Sequence, residues 1–150
     1  MNFIYDDGGR EAAGFKGKTG DCACRAIAIA TQMPYKEVYD LINEYGKAER
    51  ANRKSRRGNT HNGHRSDART GVYADTMRKI MERLGWKWHP TMAIGKGCTV
   101  HLRKDELPSG RIVCNVSRHF VAVIDGVVHD TYDSTRDENR CVYGYYSKAN

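Results

Sequence analysis

Arg118-His119-Phe120-Val121-Ala122-Val123-Ile124-Asp125-Gly126-Val127-Val128-His129-Asp130-Thr131-Tyr132 is the stretch on which the fold turns. Two β-rich runs flank Asp125-Gly126, and Asp-Gly is a strong signal for a two-residue type I′ turn. That turn fixes the register. Ile124 faces Val127, Val121 faces Asp130, and His119 faces Tyr132, so His119, Val121, Asp130 and Tyr132 share one sheet face. Asp130 is then diagonal to His119, at about 7–8 Å between backbones, within reach of two polar side chains. Asp133 falls on the opposite face and becomes the partner only if the turn is one residue longer.

Outward from this hairpin, Arg111–Val116 reads as a neighbouring strand and Cys141–Tyr146 as the one that closes the sheet. Trp86-Lys87-Trp88 alternates, Gly95-Lys96-Gly97 turns, Val100-His101-Leu102 is a short strand, and Asp105–Gly110, with Pro108, is another turn. Upstream the period changes. Ala23, Ala26, Ile27 and Ala30 recur at helical spacing after Asp21, which is placed to cap that helix. Pro34 ends it and opens a second helix striped by Val38, Leu41, Ile42 and Tyr45, with Gly46 as its stop. A third helix spans roughly 71–84, through Tyr73, Met77, Ile80, Met81 and Leu84, and stops at Gly85. Residues 1–20 read as an irregular lead-in, and 46–70 as a mobile loop or lid. Helices first and an antiparallel sheet after them predict one α+β domain over 1–150.

With 150 residues the chain has enough length for one core. Mean hydropathy is −0.72, and no apolar run approaches the roughly 20 residues that span a bilayer. Met1–Asp7 lacks the pattern of a signal peptide, so a cytoplasmic location without a membrane partner is expected. Five cysteines, an odd number, point to free thiols rather than a disulfide framework. The net charge of +7 is uneven. Eight bases (Lys47, Arg50, Arg53, Lys54, Arg56, Arg57, Arg65 and Arg69) and two acids, Glu49 and Asp67, lie between Gly46 and Thr70. The remainder is nearly neutral, so the charge belongs to one insert that is a candidate anion-binding loop through Arg53, Lys54, Arg56 and Arg57.

Thr19-Gly20-Asp21-Cys22 sets a cysteine at a helix N-terminus, where the helix dipole favours thiolate. Such sites lower a thiol pKa from about 8.5 to roughly 3.5–7.5. Cys24, two residues on and facing away, is the competing nucleophile. Cysteine, then histidine, then aspartate is the chain order of papain-like enzymes. Gly20-Asp21-Cys22, Arg118-His119-Phe120-Val121 and His129-Asp130 resemble the double-glycine-peptidase branch of that superfamily. The wider text, including Leu84-Gly85-Trp86-Lys87-Trp88, Asp105-Glu106-Leu107-Pro108 and Val127–Asp133, is also similar to small proteins carried by bacteriophages and plasmids.

The resemblance implies a papain-like fold, N-terminal helices packed on a C-terminal sheet. It implies a Cys22–His119–Asp130 triad for a cysteine peptidase-like hydrolase or acyltransferase acting on a peptide or protein. It needs no cofactor, and a phage-borne protein would work in the host cytoplasm. Papain-like proteases usually carry a glutamine shortly before the cysteine as an oxyanion donor. Lys16, Gly17, Lys18 and Thr19 stand there instead. The backbone N–H of Cys22 supplies one donor, and the sequence assigns no second. The alternative function is a non-catalytic papain-like module whose basic loop contacts nucleic acid or an acidic host protein; the loop has no aromatic residue for base stacking. His61-x-x-His64 and Cys98-x-x-His101 offer two ligands each, short of the four of a structural zinc site, so no metal is expected.

Overall fold

In the computed structural model Asp125 and Gly126 have φ of 48° and 76°, the two positive values that a type I′ turn requires. The structure describes residues 1–17, 19–50, 58–59 and 63–149. The turn joins β6 (His119–Ile124) to β7 (Val127–Asp130) with Ile124 opposite Val127 and Ala122 opposite His129, the register expected from the sequence. β5 (Arg111–Val116) pairs with β6 through the two-residue turn Ser117-Arg118, in which Arg118 takes φ 53°. The closing strand is β8 (Gly144–Lys148), three residues later than expected, and it lies between β5 and β2 (Trp86–Pro90).

The sheet has one element that the sequence reading left as lead-in. β1 (Asn2–Tyr5) adds to the free edge of β7 in parallel, with Tyr5 opposite Asp130. All four of its residues are exposed, so it carries no inward-outward alternation by which a strand is recognised. The six-stranded order is β1-β7-β6-β5-β8-β2, mostly antiparallel, and a small hairpin of β3 (Met92–Ala93) and β4 (Gly97–Cys98) stands apart. Val100–Leu102 is not a strand; His101 makes a single β-bridge to Cys141.

Three helices cover one face: α1 (Cys22–Thr31), α2 (Tyr35–Lys47) and α3 (Ala74–Arg83). In α1 every residue from Cys22 to Ala30 is buried, as befits a helix enclosed between the sheet and α2. Its alanines let the backbone approach closely. Phe120, Ala122, Val113 and Tyr146 meet it from the sheet, while Val121, Val123, Val128 and Cys114 form a second core with Leu102 and Val142 on the opposite face. Alternation along β6 therefore serves two cores, the reason that the run is almost wholly apolar. The architecture is mixed α+β. Among the described residues no helix is long and apolar enough to cross a membrane.

Three expectations need correction. Gly46 lies inside α2 rather than ending it; a Cβ there would stand 1.8 Å from the Ser66 carbonyl oxygen, so glycine is required by close approach. The described part of 63–70 is anchored rather than a loose lid. Ser66 donates its N–H and hydroxyl to the two carboxylate oxygens of Glu49, each at 2.6 Å, and the Ala68 N–H reaches Asn43 at 2.9 Å. Cys98 and Cys141, expected as free thiols, form a disulfide across 43 residues. The His101–Cys141 bridge brings these segments together, and parity of a cysteine count carries no information on such proximity. Cys22, Cys24 and Cys114 are free and buried.

Candidate active site

Cys22 is the first residue of α1, where the N–H groups of the first turn have no partner within the helix. Asp21 precedes it at the N-cap, yet its side chain makes no capping hydrogen bond, contrary to expectation. Its carboxylate is turned inward and fully used. Arg25 donates to Oδ1, the Tyr35 hydroxyl donates to Oδ2 at 2.7 Å, and Arg10 lies 3.4 Å from Oδ2. The i,i+4 spacing of Asp21 and Arg25 puts both on one face of the helix start.

His119 opens β6 and Asp130 closes β7, so both stand at the same end of the hairpin. His119 Nε2 and Asp130 Oδ2 are 2.6 Å apart, and both side chains are buried. The Ser134 hydroxyl also donates to Oδ2, at 2.9 Å, and the Thr131 N–H to Oδ1 at 2.7 Å. Arg25 completes the set with 3.3 Å to Oδ1, which makes it a bridge between Asp21 and Asp130. Cys22 and His119 line one cleft, and the thiol acts on the charge of the imidazole. Burial opposes charge on His119, but the hydrogen bonds to Asp130 and Cys22 outweigh it and push the pKa up to about 9. Burial also disfavours the Asp130 carboxylate, and here His119, the Thr131 N–H and Arg25 prevail, holding it below the ordinary aspartate value.

Asn59 is the residue that the sequence reading missed. Its Nδ2 donates to Cys22 Sγ at 3.0 Å and to the Gly20 carbonyl at 3.1 Å. Its Oδ1 accepts the Val72 N–H at 2.7 Å, which fixes the sense of the amide, and its own N–H reaches the Val72 carbonyl at 3.2 Å. Nothing in the local text marks Asn59, because its partners come from α1 and from the segment before α3. Arg25 and Ser134 were missed as well; the i,i+4 spacing from Asp21 was a signal for Arg25, whereas Ser134 carried none.

The other candidates separate clearly. Cys24 is fully buried, its thiol donates to the Tyr35 carbonyl at 3.7 Å, and burial pushes its pKa far up, so it is no nucleophile. Asp133 is exposed and accepts the Thr135 N–H at 3.0 Å and its hydroxyl at 2.8 Å, while Asp130 holds His119. His129 pairs with Asp6 at 3.1 Å. Arg53, Lys54, Arg56 and Arg57, the expected anion-binding residues, and His61 lie outside the described residues. Among the described residues no group of three metal-ligating side chains occurs, and the Cys98 sulfur of the second pair is held in the disulfide.

Cys22 opens onto a cleft of about 600 Å³, lined also by Asn59, Arg69, Arg118, His119 and Tyr132. The Tyr132 ring sits 5.3 Å from that of His119 and is about half exposed, forming a wall over the imidazole. A thiol at a helix start, a buried imidazole beside it and a carboxylate behind the imidazole can deliver a nucleophilic sulfur and return a proton to a leaving group. No family model, curated protein or solved structure matches the chain, and the chemistry of this cleft is read from its own residues.

Proposed function

We propose that the protein is a papain-like thiol acyl-transfer enzyme, a cysteine peptidase-like hydrolase or acyltransferase with Cys22 as nucleophile. The observation that carries the reading is the buried Asp130–His119 hydrogen bond in the cleft onto which Cys22 opens at the start of α1. Asp130 holds His119 through Nε2 and stabilises imidazolium, as an orienting carboxylate does in such triads. The Cys22 sulfur attacks an amide or ester carbonyl, forming a C–S bond while the carbonyl oxygen takes the electron pair. His119 holds the thiol proton and delivers it to the departing amine or alcohol. Water or an amine then releases the acyl group through a second attack, with His119 as base.

The oxyanion needs donors, and two converge on Cys22. One is the Cys22 backbone N–H at the start of α1. The other is Asn59 Nδ2, already 3.0 Å from the sulfur and held from behind by Val72. Asn59 thereby fills the role for which no glutamine precedes Cys22.

The first test is alkylation of folded protein with limiting iodoacetamide at about pH 6, where ordinary thiols near pKa 8.5 are almost fully protonated. Peptide mapping is expected to find Cys22 labelled first, and His119→Ala is expected to slow that labelling by on the order of 10–100-fold through loss of the thiolate partner. Equal, slow labelling of Cys22 in both proteins would sink the reading.

The second test is acylation by an activated ester such as p-nitrophenyl acetate. Cys22→Ala removes the nitrophenol burst. Asn59→Ala slows it by on the order of 10²-fold, the usual cost of one oxyanion donor. An unchanged burst rate in Asn59→Ala takes that residue out of the oxyanion site.

A further inference from the structure

Three arginines line the cleft around Cys22, and among the described residues two of them have no carboxylate partner. Arg25 lines it but is already paired with Asp21 and Asp130. Arg69 and Arg118 also line it; both are exposed, and among the described residues neither guanidinium forms an ion pair. Among the described residues no acidic side chain lines this cleft. Residues 51–62, which flank Asn59 in the chain, contain no aspartate or glutamate, so that stretch brings no carboxylate to them.

Both arginines are tied to the reacting groups. Arg118 immediately precedes His119 and holds φ 53°, a left-handed conformation uncommon for a residue other than glycine, asparagine or aspartate. That turn sets an arginine on the wall of the cleft at a position where glycine would relieve the backbone. The Arg69 carbonyl accepts the Gly20 N–H at 2.6 Å, two residues before Cys22. Two arginines without an ion pair among the described residues line the cleft onto which the Cys22 thiol opens, and their charge concentrates anions there.

From this geometry we infer the substrate class: a peptide acyl donor with a carboxylate beside the scissile carbonyl, held by Arg69 and Arg118. The inference rests on the thiol acyl-transfer reading of Cys22.

Iodoacetate and iodoacetamide test the two separately. Each loses iodide to the same thiolate, forming the same C–S bond, and they differ in charge. Their rate ratio is therefore independent of how much Cys22 is ionised, whereas the absolute rate at pH 6 reports ionisation. At low salt the iodoacetate-to-iodoacetamide ratio at Cys22 is expected to exceed that of free cysteine by about fivefold, and to fall by about twofold for each arginine removed. Arg69→Gln with Arg118→Gln brings it near the free-cysteine value. The corresponding lysine variants keep most of it, and roughly 0.5 M NaCl reduces it by screening. A ratio equal to that of free cysteine overturns the inference. So does a raised ratio that survives the double glutamine variant, because the attraction then belongs to His119. Slow labelling by both reagents at pH 6 overturns the thiol reading instead, and the ratio, measured then at about pH 9, still decides the role of the arginines.

Discussion

Arg25→Met is expected to lower the free energy of unfolding by about 3–5 kcal/mol, because it strands two buried carboxylates. Asp21 and Asp130 are 2% and 3% exposed, and Arg25 is the cation between them. Methionine replaces the length and apolar stem of arginine, so the cost is one of charge rather than volume. Asp21 keeps the Tyr35 hydroxyl and Arg10, and Asp130 keeps His119, Ser134 and the Thr131 N–H. These partners prevent collapse of the site but leave negative charge uncompensated beside Cys22. Urea unfolding at about pH 7 measures the loss. The difference between variant and wild type should shrink as pH falls through the depressed folded value of Asp130, where its carboxylate takes up a proton in the folded chain too. A loss under about 1 kcal/mol would show that Arg25 is dispensable to the buried network.

Between pH 6.5 and pH 9 the protein is expected to lose stability, on the order of 3 kcal/mol, and His119→Gln is expected to abolish most of that slope. The sign follows from the direction of the shift. The His119 pKa is raised from 6.5 to about 9 in the folded state, against its burial, by Asp130 and Cys22. A raised value means that the folded protein holds the proton more tightly than the unfolded one. The contribution is complete below about 6.5 and is lost as pH rises through about 9. Asp130 acts in the opposite sense. Its folded value is depressed, so its contribution is present above about 3.9 and is lost as pH falls through the folded value. The two define a stable window whose alkaline edge belongs to the imidazolium. Urea midpoints at pH 6 and pH 9 for wild type and His119→Gln measure that edge. An equal fall in both proteins would assign the slope to other groups.

Much of the fold was legible because its signals are local. Asp125-Gly126 prescribes positive φ at two adjacent positions, and the period of two on either side then fixes which residues face each other. That register alone brought His119 to Asp130, since neighbouring strands carry a choice made at the turn to every position along them. Cys22 was legible for a similar reason. The change to helical period at Ala23 marks the helix start, and the residue before it inherits the unpaired N–H groups. Pro34 and Gly85 likewise act on their own backbones.

Residues whose role depends on distant neighbours were not legible. Gly46 has the look of a helix stop, yet it is glycine because Ser66 presses on it. β1 has no pattern of its own and exists because β7 offers an edge.

By itself, then, the sequence determined the α+β class, the hairpin register and the identity of the Cys22, His119 and Asp130 candidates, all properties of backbone preference and short-range periodicity. Only the tertiary structure decided that Asn59 reaches Cys22 across 37 residues, that Arg25 joins Asp130 across 105, and that Cys98 bonds Cys141 across 43. Each of these contacts is a closure between segments whose approach is set by packing of the whole core, and no periodicity in either segment encodes it.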